Sequence, residues 1–450
     1  MTPPPVAPPS RDAPQHPPDW PGHPAIESHQ QRNLFLLAVH QIVFRLGWIF
    51  KTESVIMPAF LDQVAGAGWI RGCLPALSRL GQGIPPLFAA NRVRAMRRKK
   101  RALAPLALLM GLPFLALSLT CFLDVGQKRA WTLALFLVLY FAFFVFYGLY
   151  LVSFGTVQGK LIRPTRRGYL ILLSTFWGAI PATLVAIWLM PDWLNPSDPK
   201  WASVFAFVGV CFFLSGLIAF WFFEPGDDAA ERPTQEPGSV ADTLRVLRAD
   251  ANLRRLVLVA VLAGSGLMVI PHYQAWAGEQ LGLSGVHLML WVVTQNVAVA
   301  VFSLFIGPLA DRRGYRFVLR PLIFGSAVAP AFAILLTRLP GDVGGGLFWL
   351  VYVPLGVTPL VPRALLNYAL EICSPDAHPR YQSIVSLSLA VPFVLSPGIG
   401  GLGDAVGFEC VFVGTIVLVL LSGWMTFRLD EPRRRLPADE APAAGVETPE

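Results

Sequence analysis

Long apolar stretches alternate with short polar ones along almost the whole chain. Apolar windows fall near residues 34–61, 69–90, 102–123, 131–157, 168–190, 201–223, 256–278, 287–309, 317–338, 346–370, 382–403 and 408–427. A helix needs roughly 20 mostly apolar residues to cross the hydrocarbon core of a bilayer, so the pattern predicts twelve membrane-spanning helices. The longest interruption, residues 224–255, is rich in Asp, Glu, Pro and Arg and divides the twelve into six and six. Within it, SVADTLRVLRADANLRR reads as a short amphipathic surface helix behind an Asp or Ser cap.

Composition agrees. Of 450 residues 54% are hydrophobic and 14% charged, against about 25% charge in an ordinary soluble chain, which excludes a soluble multidomain enzyme. The net charge of +8 then becomes a question of where the charges sit. Short cytoplasmic loops retain Lys and Arg. The even-numbered loops hold fifteen, between Arg92 and Arg101, Lys160 and Arg167, and Arg312 and Arg320, whereas the odd-numbered loops hold four, Lys128, Arg129, Lys200 and Arg338. This bias places both termini in the cytoplasm, and the plasma membrane is the expected location. The five cysteines are scattered, with no CxxC pair and no His/Cys cluster at metal-ligand spacing. Ten prolines in the first 24 residues, without an apolar core, describe a disordered tail rather than a signal peptide. The expected organisation is a Pro-rich cytoplasmic tail (1–32), an N-terminal six-helix bundle (33–223), a cytoplasmic linker (224–255), a C-terminal six-helix bundle (256–432) and a disordered cytoplasmic tail (433–450).

The two halves repeat one another. VIMPAFL at 55–61 parallels VIPHYQA at 269–275, PLFAANRVRAMRRKK at 86–100 parallels SLFIGPLADRRGYRF at 303–317, and Glu224-Pro225 parallels Glu431-Pro432. Similar pieces in one order at nearly constant offset imply duplication of a six-helix unit. GPLADRRGYRFVL, from Gly307 to Leu319, resembles the loop motif of the major facilitator superfamily, with support from RPTRRGY at 163–169, the two Glu-Pro pairs and SPGIGGLGDAVGFECVF at 396–412. The resemblance implies an all-α polytopic membrane protein whose twelve transmembrane helices form two pseudo-symmetric six-helix bundles, working as a monomer. In the N-terminal copy of the motif Arg94 stands in place of Asp311 and Arg97 in place of Gly314. The resemblance makes that acid part of an inward gate, so the N-terminal half must close by other contacts or close weakly.

In a transporter of this kind the solute sits near the midplane between the halves, and a charge inside a span faces a cavity or a partner. Gln41, Arg45, Trp48 and Thr52 share one helical face, with Glu53 beside it and Lys51 nearly opposite Glu53. Arg45 is either a cavity cation or a charge near the inner interface. Glu53 is either a protonatable coupling carboxylate or, like Lys51, a group snorkelling outward. Arg79 lies too deep to reach either interface and needs a partner; Glu53 is the nearest candidate, and Asp62 the candidate for Arg71. Tyr147 belongs to an aromatic run that either walls a cavity or packs. His272 and Tyr273 follow Pro271, which breaks its helix, and fit either proton coupling or an outer gate. Gln295 and Asn296 contact solute or bridge helices. Arg363, Asn367 and Glu371 form a ladder at steps of four. With Gly307, Asp311, Arg312, Gly314 and Arg380 the end of that ladder resembles the family's cytoplasmic gate, unless Glu371 and Arg380 only cap helix ends.

No GxxxxGK[ST] loop, HExxH or nucleophile elbow occurs, so neither ATP nor a cofactor is expected. The basic loop at 92–101 is explained by membrane topology without a nucleic acid. The reading is a secondary active permease that moves a small organic solute by alternating access, with protons as the expected coupling ion. Arginines beside aromatic residues fit either export of amphipaths or import of an organic anion. Long tails and the altered N-terminal motif leave a transport-inactive membrane sensor or scaffold as the alternative, and a lipid-modifying enzyme as a weaker one. Asp311→Asn is expected to weaken inward closure and raise labelling of cytoplasmic-side cysteines; unchanged accessibility would count against the gate assignment.

Overall fold

A backbone inside a bilayer must satisfy its own hydrogen bonds, and this chain does so with helices. The computed structural model describes residues 24–94, 96–123, 129–226, 240–373 and 377–431, with no strand among them. The first half comprises α1 (Pro24–Ser28), α2 (Gln30–Ile49), α3 (Ile56–Val64), α4 (Gly68–Arg94), α5 (Lys100–Phe122), α6 (Arg129–Leu161), α7 (Pro164–Trp193) and α8 (Trp201–Phe220). A connecting helix, α9 (Val240–Ala249), matches the amphipathic segment read from the linker. The second half comprises α10 (Ala251–Met268), α11 (His272–Leu281), α12 (Val286–Arg313), α13 (Tyr315–Ser326), α14 (Val328–Thr337), α15 (Gly341–Leu347), α16 (Tyr352–Leu355), α17 (Leu360–Glu371), α18 (His378–Val406) and α19 (Phe408–Met425).

These helices make twelve spans, in the order α2–α3, α4, α5, α6, α7, α8, α10–α11, α12, α13–α14, α15–α17, α18 and α19. Among the described residues nine are long and apolar enough to cross a membrane by composition. The first and second, which carry Arg45, Lys51, Glu53, Arg71 and Arg79, are not among the nine. Helix begins at Pro24, inside the segment expected to be a disordered tail, and Ile26 is buried. The rest of that tail, residues 227–239 of the linker and residues 432–450 lie outside the described residues.

The duplication is visible as a shared interruption. The first span breaks between Ile49 and Ile56 and the seventh between Met268 and His272, which are the two places where VIMPAFL and VIPHYQA stand. The tenth span also breaks, at residues 356–359, where Gly356 and Pro359 disfavour continued helix. Its counterpart α6 contains no proline and runs unbroken for 33 residues.

Within the first half α5 packs on α8, α4 on α6, and α2 on α7 and α8; within the second, α10 packs on α18 and α19, and α13 on α17 and α19. Between halves α4 meets α18, α7 meets α12, and α3 meets α11. Second span on eleventh and fifth on eighth are equivalent pairs under the repeat. Large apolar side chains such as Phe122, Trp188 and Phe305 point outward, as a lipid-facing surface requires.

The α4–α18 crossing is close enough to exclude side chains. A Cβ on Gly400 would lie 2.1 Å from the Gly68 carbonyl oxygen, and one on Gly72 would lie 2.3 Å from that of Ser396. Small residues of this kind let backbones approach where lipid gives no hydrophobic drive for helix association. Gly400→Ala should therefore cost about 1–3 kcal/mol of this packing, read as a lower melting temperature in detergent; an unchanged melt would mean that the two helices are not held together here.

Candidate functional site

The break in the first span sets up the midplane. Residues 50–55 leave the helix, so the 100° rotation per residue no longer applies, and Lys51 folds back toward Glu53 instead of pointing away from it. The Lys51 ammonium lies 3.6 Å from the Glu53 carboxylate and is 1% exposed. Four rings surround it, with centroids at 4.0 Å (Phe144), 4.2 Å (Trp48), 5.0 Å (Phe143) and 5.5 Å (Tyr140). Lys51, one of the two groups for which outward snorkelling is an alternative, is a caged interior cation, and it takes the place beside Glu53 for which Arg79 is the candidate from sequence. Glu53 also accepts a hydrogen bond from the Ser78 hydroxyl at 3.4 Å. Ser54 donates to Gln295 of α12 at 2.5 Å, which ties the break to the opposite half.

Around this pair lie three guanidinium groups. Arg79 sits 4.8 Å over the Phe393 ring of α18, across the interface between halves, and is within electrostatic range of Lys51 and Tyr140. Arg45 on α2 and Arg363 on α17 lie within electrostatic range of one another, as Tyr147 does of Arg363, Arg79 and Glu53. The Tyr147 ring packs 4.8 Å from Trp48. The surrounding aromatic run turns inward: Tyr140, Phe143, Phe144 and Tyr150 are all buried and form one cluster with Phe44 and Phe212.

At the end that carries the odd-numbered loops the halves are latched. Arg71, 2% exposed, lies 2.5 Å from Asp62 in its own half and 3.9 Å from both Glu279 and Asp404 in the other. Asp404, at the end of α18, also accepts the Gly68 N–H at 2.7 and 2.9 Å with its two oxygens. It thereby caps α4 from the opposite half. His272 lies beneath this latch, fully buried and stacked 4.7 Å from Phe408, with no hydrogen-bond partner for either ring nitrogen among the described residues.

At the other end each half is tied to itself. Glu224, 5% exposed, accepts the N–H groups of Lys99 and Lys100 at 2.7 Å each and the Lys160 ammonium at 3.0 Å. The carboxylate so placed satisfies orphan donors at the start of α5. In the second half Glu371 accepts the Tyr315 N–H at 3.1 Å, and Arg316 pairs with Glu431 at 3.5 Å. Gly314 joins α12 to α13 with φ +82°, a left-handed conformation that favours glycine and accounts for it in the loop motif. Arg312 is exposed, Arg380 is half-buried at the start of α18, and Gly307 has open space around its Cα; the Asp311 side chain lies outside the described residues.

The structure thus gathers Glu53, Arg79, Tyr147 and Gln295 around the break, with Arg45 and Arg363 within electrostatic range of one another, and sends other candidates elsewhere. Gln41 donates to the Tyr150 hydroxyl at 2.8 Å, part of a buried chain that runs on through His40 to the Ser215 carbonyl. Tyr273 is 1% exposed and stacks on Phe412 within the second half. Asn296 donates to Val292 of its own helix at 2.9 Å, and Asn367 is half-buried on α17. Sequence reasoning missed His40, Lys51, Asp404 and the capping role of Glu224. The run Lys51-Thr52-Glu53-Ser54 in the middle of an apolar window was the available signal for a break, and Asp404 and Glu224 already stood in recognised motifs.

A search of curated proteins by sequence returns no match. Among solved structures the chain is similar to a bacterial homologue of the human lysosomal transporter Spinster in an inward-facing, unoccupied conformation, with TM-score 0.64 and 14% identity over 90% of this chain and 97% of that one. It is similarly like a variant of the nucleoside transporter NupG, with TM-score 0.64 and 12% identity over 89% and 100%. A bacterial homologue of the iron transporter ferroportin in an inward-facing state gives TM-score 0.59 at 12% identity over 89% and 98%. The family model described as Major Facilitator Superfamily matches residues 49–357 and 266–448. With twelve spans in two repeated halves and that match across nearly its whole length, the chain belongs to the major facilitator superfamily of multi-pass membrane transporters.

Proposed function

We propose that this transporter is a proton-coupled secondary permease for a small organic solute, and that Arg45, Glu53, Arg79, Tyr147, Gln295 and Arg363 line its solute cavity. The observation that carries the reading is the Lys51–Glu53 pair where the first span breaks, with Arg79 lying against Phe393 of the opposite half and Ser54 bonded to Gln295 across the interface. Unwound segments at a repeat interface provide the polar groups that such a site needs in a bilayer. Both export of an amphipath and import of an organic anion use this arrangement. The even-numbered loops and both termini belong in the cytoplasm of the plasma membrane by their Lys and Arg excess. The latched end is then extracellular, and the conformation is closed outward.

The distances around Arg71 suit a gate. Its pair with Asp62 is short and stays within one half, whereas the links to Glu279 and Asp404 are long, partly exposed and cross between halves. Partly exposed ion pairs of this kind contribute only about 0.2–1 kcal/mol each, so rocking the halves apart breaks weak contacts and leaves the strong one whole. Glu53 supplies the coupling group because it is the carboxylate at the level of the break, held by Lys51 on one side and reaching the cavity on the other, with 27% of its side chain exposed.

Cys73, half-buried on α4 two residues from Arg71, is a native reporter of this gate. In a variant retaining only that cysteine, Arg71→Gln should raise labelling by an impermeant maleimide from outside roughly tenfold, the equivalent of about 1.4 kcal/mol; unchanged labelling would remove Arg71 from the gate. Wild-type labelling should differ between pH 5.5 and 8, and Glu53→Gln should abolish that difference. A pH response that survives the substitution would show that protons act elsewhere.

A further inference from the structure

Arg320 is a charge inside a span with no acid of its own. At about 1.5 Å per residue it stands roughly 8 Å along α13 from Tyr315, in a segment apolar enough to cross a membrane, where a charge needs a partner. Its guanidinium lies 4.4 Å over the ring of Phe427, just beyond α19, and its buried Nε has no hydrogen-bond partner among the described residues. No described acid forms an ion pair with it. The two acids at this end are engaged elsewhere, Glu431 by Arg316 at 3.5 Å and Asp430 by Arg255 at 3.6 Å. Beside it Arg428, also without an acid partner among the described residues, lies 4.4 Å over the ring of Trp424. Both rings face outward, Phe427 54% and Trp424 51% exposed. A Cβ on Gly423 would stand 2.8 Å from the Phe324 ring, so α13 and α19 pack closely and gather the two arginines and two rings into one patch. The duplicated fold does not require Arg320: where the two loop segments are aligned and followed three residues further, Leu103 stands in its place.

We propose that this patch binds an anionic phospholipid, with Arg320 and Arg428 donating to the headgroup phosphate and Phe427 and Trp424 lying against its glycerol and upper acyl chains. A cation over a ring face spends its charge on the ring but not its in-plane N–H groups, and those match the paired oxygens of a phosphate. The patch sits on the outer surface of the second bundle, at the end that carries the even-numbered loops, so the anion that meets it there is one held in the membrane. Aromatic side chains with a polar neighbour belong at that headgroup level. Two unpaired guanidinium charges favour a headgroup with net negative charge over a zwitterionic one, whose ammonium they would repel. Such lipids are concentrated in the cytoplasmic leaflet, the side to which the Lys and Arg excess assigns these loops. A lipid held this way bridges α13 and α19 and braces the second bundle at its inner end.

The test uses the full-length protein, stripped of lipid in a neutral detergent, and three probes: phosphatidylglycerol, phosphatidylcholine with the same acyl chains, and inorganic phosphate. Native mass spectrometry and thermal unfolding should show a retained phosphatidylglycerol and a raised melting temperature, and neither effect from the other two. Arg320→Gln and Arg428→Gln should each weaken phosphatidylglycerol binding at least fivefold, and Arg320→Lys should weaken it less. Arg101→Gln, which removes an exposed arginine at the same end of the first half, should leave binding unchanged. Without lipid Arg320→Gln should melt near the wild-type temperature, because no acid of the protein loses its partner. Equal retention of phosphatidylcholine, or wild-type affinity in both patch variants, would overturn the proposal. So would an equal loss in Arg101→Gln, which would mean that the general basic face attracts the lipid, or an equal melting shift with inorganic phosphate, which would mean a site for free anions. A lipid-free melt of Arg320→Gln well below wild type would reveal a partner within the protein and overturn it too.

Discussion

The Asp404 carboxylate holds the two halves of this protein in register. The first turn of a helix has N–H groups with no partner of their own, and inside or beside a bilayer no bulk water replaces one cheaply. Here the Gly68 N–H is satisfied by a carboxylate on the opposite half. That arrangement works only if α4 and α18 approach to backbone contact, which explains the bare glycine crossing at Gly72 and Gly400. The same carboxylate is one of three around Arg71, so helix capping, close packing and charge pairing at the latched end all depend on one side chain. The cap, the crossing and the Arg71–Asp404 contact are all lost together when the halves separate, while the Arg71–Asp62 pair remains, which makes closure cooperative.

A second constraint is the cost of an ammonium group in the apolar interior. Burying an ion costs several kcal/mol unless it is well paired, and the pair with Glu53 is a 3.6 Å contact without a short hydrogen bond. The four rings around Lys51 contribute the rest, since a desolvated cation over an aromatic face gains about 2 kcal/mol or more. The C-terminal end of α2 immediately before Lys51 adds the negative end of a helix dipole. This has a consequence for coupling. Because the rings and the dipole hold Lys51 independently of the acid, the coupling role proposed for Glu53 does not require the lysine to leave, and the aromatic run on α6 serves the interior rather than the lipid-facing surface.

Much of the fold was legible because membrane helices are written in composition. Every apolar window became a span, and Pro271 marked the break in the seventh. The Asp62–Arg71 pair was also readable, nine residues apart across one short turn. What escaped reading depended on contacts distant in sequence or on loss of helical periodicity. Assigning Lys51 to the face opposite Glu53 assumed a continuous helix through 34–61, and neither Gly nor Pro in residues 50–55 warns against it. Tyr273 and Gln41 looked like cavity groups because polarity alone does not separate a solute contact from an internal hydrogen bond; only the positions of Phe412, Tyr150 and His40 decide it. The cap of Gly68 by Asp404 joins residues more than 300 apart, which no local pattern reveals.

The repeats also diverge, and the divergence bears on how the molecule moves. The second half keeps the acidic loop motif and starts α13 under Glu371, the last residue of α17. The first half lacks that acid and has Lys160 near the end of α6, and its capping carboxylate comes from Glu224 beyond α8 instead. Both solutions tie helix ends within one half, using short hydrogen bonds from backbone N–H groups. By contrast, the links of Arg71 to Glu279 and Asp404 across the halves are 3.9 Å contacts. The exposed ion pairs that cross between the bundles are therefore weak, and what joins the halves more firmly is the Gly68–Asp404 cap, the Ser54–Gln295 hydrogen bond and the glycine crossing of α4 on α18. Opening the latched end must break that set of contacts together, whereas the ties inside each bundle, at Glu224 and at Glu371, are untouched by it.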